Sequence, residues 1–450
     1  MSNGPSSISL SGADLPAVLQ APPGAGSVRW LQRFAQVAAP MGPRAAWLEP
    51  QPGVGGTIVY QAAQGSNLLD VDGNRYVDLA AGFGSLLLGH NPAAVQRALV
   101  QQSTQLCQAL GDVHPSTLKI ELLERLALRL GGPGVQTILG QSGADAVSAA
   151  LKTAALYTGK PGVVAFAGAY HGLSYGPLAA CGLRESYRAP FAGQLNPGVR
   201  FVEYPSDAAG LARATSQLER ELERGDVGAI LYEPILGRGG CVLPPAQLGE
   251  VLAEQARAAG CLVIADEIWT GLGRAGHWLY GRAHGPAADL VCLGKGLGGG
   301  LPISACLGRA EILSAWSRAE EVVHTSTFAG APLACAAALA TLRELEERQL
   351  VERAQRVGES FRRALGEAIA PHVDALGAEL RGAGFMIGLE LSRRSGAALE
   401  LTRRLLARGY VASLGGGRRE TLVLTPALDI SELLLEGFVR ALADSLPGLA

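Results

Sequence analysis

Lys295 stands where packing gives no reason for a lysine. The run Asp289-Leu290-Val291-Cys292-Leu293-Gly294 reads as a buried strand, and it delivers the lysine into Gly296-Leu297-Gly298-Gly299-Gly300. Glycines on both sides let a bulky ligand reach the amine, and burial with suitable neighbours would let it form an imine with a carbonyl. Taken alone, a lysine in a glycine loop also fits a surface turn or a phosphate contact. A second apolar run, Cys261-Leu262-Val263-Ile264-Ala265, ends in Asp266-Glu267-Ile268. Carboxylates at the end of a buried strand are costly unless a cation, a metal or a protonated nitrogen compensates them. Asp266, adjoining the run, is expected to have a buried partner, and Glu267 to emerge into solvent. A third run, Thr137-Ile138-Leu139, leads into Gly140-Gln141-Ser142-Gly143-Ala144-Asp145, a turn that opens a helix. Free backbone N–H groups and the positive helix end make it an anion site, although Ser142 serves equally well as an ordinary N-cap.

A phosphate cradle, a strand-end aspartate and a lysine after a strand are together the fixtures of a pyridoxal phosphate (PLP) site. Tyr170-His171-Gly172, following the strand around Val163 to Phe166, offers in Tyr170 an aromatic face for a ring, while His171 by itself reads as a structural histidine. Two stretches spell G-x-G-x-x-G, Gly271 to Gly276 and Gly294 to Gly299, but neither runs into a convincing helix, which argues against a dinucleotide site.

The elements that must position these residues follow from hydrophobic patterning. Strands are expected at Gln136–Leu139, Gly162–Phe166, Gly228–Tyr232, Cys261–Ala265, Leu290–Leu293 and Ile303–Leu307, and helices at Thr117–Leu130, Ala144–Tyr157, Ala208–Glu223 and Leu248–Ala259. Strand and helix in alternation imply an α/β domain with a mostly parallel sheet covered on both faces. Ahead of it, Asp72-Gly73-Asn74 between two apolar runs is a hairpin signal, with Gly73 and Asn74 able to take positive φ. The chain is expected to divide into a loose, Ser/Gly/Pro-rich arm (1–28), an N-terminal segment of a small domain (29–95), a large α/β domain (96–342) and a smaller C-terminal α+β domain (343–450).

Composition narrows the function classes. Hydrophobic residues make up 48% of 450 and charged residues 17%, enough for large cores. With 38 Lys and Arg against 40 Asp and Glu, and no block of like charge, electrostatic capture of nucleic acid or of an anionic membrane is not expected. The seven scattered cysteines form no C-x-x-C pair, so neither a disulfide framework nor a zinc site is indicated, and a reducing cytoplasm suits them. No secretory signal and no membrane span is visible; the uncharged run Thr325 to Leu342 reads as the start of a buried alanine-rich helix.

From about Asn67 to the C-terminus the sequence resembles the class III, or ω-amino acid, aminotransferases of PLP fold type I. The motifs are Leu69-Asp70-Val71-Asp72-Gly73-Asn74-Arg75-Tyr76-Val77-Asp78, Gly89-His90-Asn91-Pro92, Ser142-Gly143-Ala144-Asp145-Ala146, Tyr170-His171-Gly172, Glu233-Pro234-Ile235, Asp266-Glu267-Ile268-Trp269-Thr270-Gly271, Lys295-Gly296-Leu297-Gly298, His324-Thr325-Ser326-Thr327-Phe328 and Arg381-Gly382-Ala383-Gly384. The resemblance implies a large domain with a mixed seven-stranded sheet, and a small domain built from both chain ends. It implies a cofactor set of Ser142, Gly143, Ala144, Tyr170, His171, Glu233, Asp266, Ile268, Lys295 and Thr327. Within it Gly143 and Ala144 hold the phosphate through backbone N–H groups, Thr327 reaches the phosphate of the neighbouring subunit in a homodimer, and Ile268 and Tyr170 sandwich the ring. Lys295 and Asp266 are the catalytic pair, and Phe83, Trp269 and Arg418 are candidates for the substrate pocket.

Departures from the family pattern concern substrate. Trp269 occupies a position where many members have Gln, Leu173 follows Gly172 where some have Arg, and Val423 stands in the last strand where carboxylate-docking members have Arg. The donor side is therefore expected to be apolar, with Arg418 or Arg419 left to hold an acidic partner. The expected reaction is ping-pong transfer of an amino group from an amine or ω-amino acid to a keto acid or aldehyde, with racemisation, aminomutation or decarboxylation as alternatives on the same scaffold.

Overall fold

The computed structural model describes residues 10–40, 56–132, 134–318 and 320–449. In chain order its strands are β1 (Tyr60–Gln64), β2 (Asn67–Asp70), β3 (Arg75–Asp78), β4 (Val135–Gly140), β5 (Gly162–Phe166), β6 (Val199–Val202), β7 (Val227–Tyr232), β8 (Leu262–Asp266), β9 (Leu290–Leu293), β10 (Ser304–Arg309), β11 (Ala378–Ala383), β12 (Met386–Leu391), β13 (Tyr410–Val411), β14 (Ser413–Gly415) and β15 (Thr421–Leu424).

Seven of them form the central sheet in the order β4-β10-β9-β8-β7-β5-β6. Neighbours from β9 to β6 run parallel, and β10 is antiparallel to both β4 and β9. The two-residue alternation of strand side chains sorts the core into two layers. Val163, Ala165, Ala229, Leu231 and Ile264 pack with Ala146, Val147, Ala150 and Ala154 of the helix Gly143–Thr158. Val164, Phe166, Ile230, Tyr232, Val263 and Ala265 pack on the other side with Leu218 and Leu222 of the helix Ala208–Leu222 and Leu252 and Ala256 of the helix Leu248–Ala259. The strand runs are apolar throughout because both faces are covered. The expected alanine-rich helix spans Pro332–Glu347, with proline in its first turn.

Among the described residues there are two further sheets of four strands, β1-β2-β3-β13 and β11-β12-β15-β14. The hairpin β2–β3 forms as expected, but of its turn only Gly73 is left-handed (φ +85°). Asn74 instead uses its side chain, whose Nδ2 donates to Asp70 at 2.9 Å and whose Oδ1 accepts the Leu19 N–H at 2.8 Å. That contact belongs to a correction. Residues 10–28 were expected as a loose arm, yet Ala17 bridges to Arg75, and the Gly26 and Ser27 N–H groups donate to the Asp72 carboxylate at 2.5 and 2.8 Å. A Ser/Gly/Pro-rich composition reports weak local preference, and here hydrogen bonds to the hairpin supply the order. The first nine residues of the expected arm lie outside the described residues.

Candidate active site

Because β4, β5, β7, β8 and β9 run in one direction, their carboxyl ends meet along one edge, where ligands of open α/β sheets bind. Gly140, Phe166, Tyr232, Asp266 and Leu293 end these strands, so the segments carrying Ser142, Tyr170, Glu233, Asp266 and Lys295 all start from that edge.

Asp266 is 4% exposed. Its partner is His171, whose Nδ1 lies 2.7 Å from Oδ2, while Oδ1 accepts the Ile268 N–H at 3.1 Å. The structural reading of His171 and the buried-partner reading of Asp266 thus describe one contact. Glu267 requires a correction: it does not emerge into solvent but is 2% exposed. It accepts the Gly281 N–H at 2.6 Å and the Thr270 hydroxyl, and burial pushes its carboxyl up to about 7. Strand alternation continues past the apolar run and turns Glu267 towards the opposite core layer, beside Tyr232 and Ala265.

Lys295 takes φ +41° at the head of a single 3-10 turn, Lys295–Gly298. Its Nζ sits 4.0 Å from the centroid of the Trp269 ring. Desolvation pulls the amine down to about 8, and the charges of Arg238 and Arg274 act in the same direction, against those of Asp266 and Glu233. Glu233, also buried, accepts the Tyr170 N–H at 2.7 Å and the Gly237 N–H at 3.0 Å, and burial raises it to about 7.

At the start of the helix Gly143–Thr158, Ser142 and Asp145 form a reciprocal capping box. The Ser142 hydroxyl accepts from the Asp145 N–H at 3.3 Å, and the Asp145 carboxylate accepts from the Gln141 and Ser142 N–H groups at 3.0 and 2.9 Å. Ser142 therefore acts as the ordinary N-cap, and the Gly143 and Ala144 N–H groups are left facing out of the helix end. Gly143 lies close against Ile268: a Cβ would come within 2.8 Å of its side chain, which would have to shift. Thr327 is exposed, its carbonyl accepting from Gln108 Nε2 at 2.7 Å, next to Ser326, which pairs with Gln141.

The expected pocket residues separate. Phe83 is 69% exposed and lines a cavity of about 610 Å³, whereas Trp269 is buried beneath Lys295 with its indole edge against Gly84. Arg418 does not line that cavity; its N–H donates to the Glu420 carboxylate at 2.6 Å, and Arg419 (φ +62°) lines the cavity instead. Val423 is fully buried in β15 and Leu173 is half exposed. The lining of the cavity is mainly apolar, and Arg184, Arg238, Arg403 and Arg419 add charge to its wall. Arg238 is the residue that sequence reasoning missed. It follows Glu233 by five residues, and its guanidinium lies 4.7 Å from the Tyr170 ring centroid.

These residues fit PLP. The site holds a water-shielded carboxylate, a partly buried amine of lowered basicity and a helix end with outward N–H groups, and buried His171 Nε2 and Trp269 Nε1 have no hydrogen-bond partner among the described residues. Among those residues no cluster of His, Cys, Asp or Glu is arranged to hold a metal, and no helix is long and apolar enough to cross a membrane.

Comparison with known proteins agrees with the geometry. The sequence profile described as aminotransferase class-III matches residues 51–446. The 5-aminovalerate aminotransferase DavT of Pseudomonas aeruginosa is 36% identical over 341 residues, covering 74% of this chain and 79% of that protein. The acetylornithine aminotransferase of Mycobacterium bovis is 36% identical over 392 residues, 86% of this chain and 90% of that one. Among solved structures, an amine transaminase from an uncultivated Pseudomonas species in its PLP-bound form superposes with a TM-score of 0.83 at 28% identity, covering 92% of this chain and 99% of that one. The chain thus belongs to the class III aminotransferases, enzymes that move amino groups with pyridoxal 5'-phosphate.

Proposed function

We propose that this protein transfers an amino group from an amine or ω-amino acid to a keto acid or aldehyde in two half-reactions that use one pocket in turn, with Lys295 and Asp266 as the catalytic pair. The observation that carries the reading is the placement of Lys295 and Asp266 on one sheet edge, with the aspartate shielded from water and the amine lowered to about 8. When bound, the cofactor supplies an electron-accepting ring. Asp266, oriented by His171 Nδ1, is the carboxyl group that would face the ring nitrogen and favour its protonated form. Lys295 Nζ, part of it neutral near pH 7, accepts a proton from the substrate carbon and returns it on the other side of the transfer. Gly143 and Ala144 N–H groups bind the phosphate, Ile268 and Tyr170 hold the two ring faces, and Glu233 fixes Tyr170 through its backbone. Thr327, exposed on its loop, completes the phosphate site of a second copy, which makes the working unit a homodimer with shared sites. Six of the seven free cysteines are buried, in keeping with a cytoplasmic protein.

A panel of amine donors against pyruvate and 2-oxoglutarate, with the cofactor spectrum followed, tests the reading. Stoichiometric amino transfer with product release before the acceptor binds is the expected result. Inversion or carbon dioxide release without amino transfer would replace it.

A further inference from the structure

We propose, resting on the transaminase reading, that Arg238 anchors the carboxylate of the keto-acid acceptor. At the two positions where the resemblance implies a carboxylate-docking arginine in some members, this chain has Val423, fully buried in its strand, and Leu173, which carries no charge. An acidic substrate still needs a cation wherever its carboxylate leaves water. The cavity of about 610 Å³ beside the site has four arginines in its wall, and Asp78 is its one carboxylate among the described residues. Asp78 is already committed, to His90 Nε2 at 2.9 Å and to the Ala80 and Ala81 N–H groups at 2.9 Å each.

The four arginines are not equivalent. Arg184 is used structurally, donating to the Gly417 and Gly416 carbonyls at 2.8 and 3.3 Å and so pinning the glycine-rich turn after β14. Arg403 and Arg419 are exposed to solvent. Arg238 alone joins the cavity to the lysine: it lines the cavity, lies over Tyr170, and contributes to the lowered basicity of Lys295. Its backbone is held as well, the carbonyl accepting the Gly416 N–H at 2.8 Å. No carboxylate lies within ion-pair distance of its guanidinium among the described residues. A guanidinium oriented on an aromatic face and unpaired with acid is preorganised for two parallel hydrogen bonds to a carboxylate.

The test compares acceptors in the holoenzyme. For Arg238→Gln and Arg238→Met, kcat/KM for 2-oxoglutarate and pyruvate is measured relative to kcat/KM for butanal, which has no carboxylate, alongside direct calorimetric binding of 2-oxoglutarate. The expected result is a fall of at least about thirtyfold in the keto-acid-to-aldehyde ratio, carried by KM, with PLP content unchanged. An unchanged ratio overturns the anchor and leaves the transaminase reading standing. The same holds for a shift produced by Arg419→Gln but by neither Arg238 variant. Binding of 2-oxoglutarate that Arg238→Gln abolishes, in a wild type without amino transfer, supports the anchor while removing the transaminase reading.

Discussion

Asp266 and Glu267 leave the same strand end on opposite sides of one sheet, and both are almost fully buried. Asp266 turns to His171, on the side of the lysine and the helix end. Glu267 turns to the Thr270 hydroxyl and the Gly281 N–H, where it ties the turn after the strand to the short helix Tyr280–Ala283. Neither environment is apolar enough to forbid a carboxylate, because each supplies hydrogen bonds. What separates them is the chemistry within reach. Burial with hydrogen bonds marks a residue as consequential, and only the neighbours say whether the consequence is catalysis or architecture.

Substitutions on the Lys295 side should therefore strike turnover, and those on the Glu267 side should strike stability. Lys295→Ala is the largest expected effect: amino transfer falls below detection while PLP is still retained noncovalently through the phosphate contacts. Borohydride reduction followed by peptide mass mapping checks this, since wild type should carry the cofactor on Lys295 and the variant nowhere. Turnover in the variant, or a cofactor fixed on another lysine, would break the comparison at its centre. Asp266→Asn should come next, with kcat lowered by orders of magnitude and thermal stability little changed. A rate within about tenfold of wild type, roughly 1.4 kcal/mol of barrier, would remove Asp266 from the chemistry.

His171→Phe sharpens the comparison, because it withdraws the hydrogen bond from Asp266 Oδ2 while leaving the carboxylate in place. We expect a fall of about tenfold to a hundredfold in kcat with a displaced pH profile, and a smaller loss for His171→Gln, which can still donate. A stability loss with an unchanged profile would make His171 a packing residue only.

Glu267→Gln gives the smallest kinetic effect and a pH signature instead. Burial raises the folded-state pKa of Glu267 to about 7 from its ordinary 4.5, so the folded protein binds the extra proton between those values. Its contribution to stability is complete below about pH 4.5 and is lost as pH rises through 7, by up to about 3 kcal/mol. Relative to wild type, Glu267→Gln should gain stability across that window, read by denaturant unfolding at pH 5 and pH 8. Parallel pH profiles in the two proteins would mean that Glu267 is ionised throughout.

The sequence was most legible where one physical rule acts alone. Gly162–Phe166, Leu290–Leu293 and Leu248–Ala259 have the expected bounds because continuous apolar runs and a helical apolar face need no tertiary information. Val199–Val202 escaped notice: it is a short edge strand interrupted by Arg200, which the Asp226 carboxylate pairs from the loop before β7. The placements of Asp266 and Lys295 followed from asking what comes after each apolar run. The burial of Glu267 did not, because a carboxylate after a strand looks the same in sequence whether the next loop folds over it or away. Arg238 was hidden for a related reason, since the ring it stacks on, Tyr170, comes from a different strand end.

The pairing of Tyr410 with Val77 and of Val411 with Asp78 also has a temporal consequence. During synthesis the hairpin β2–β3 emerges long before the strand that covers the edge of β3, because β13 lies far downstream in the chain. At 5 to 20 residues per second the delay is on the order of tens of seconds. Through that interval the Val77 and Leu79 N–H groups lack their Gly409 and Val411 partners, while Arg75 is already covered by Ala17. Slower translation should therefore lengthen the exposure of this edge to strand exchange and lower the soluble yield, which expression at two translation rates would read.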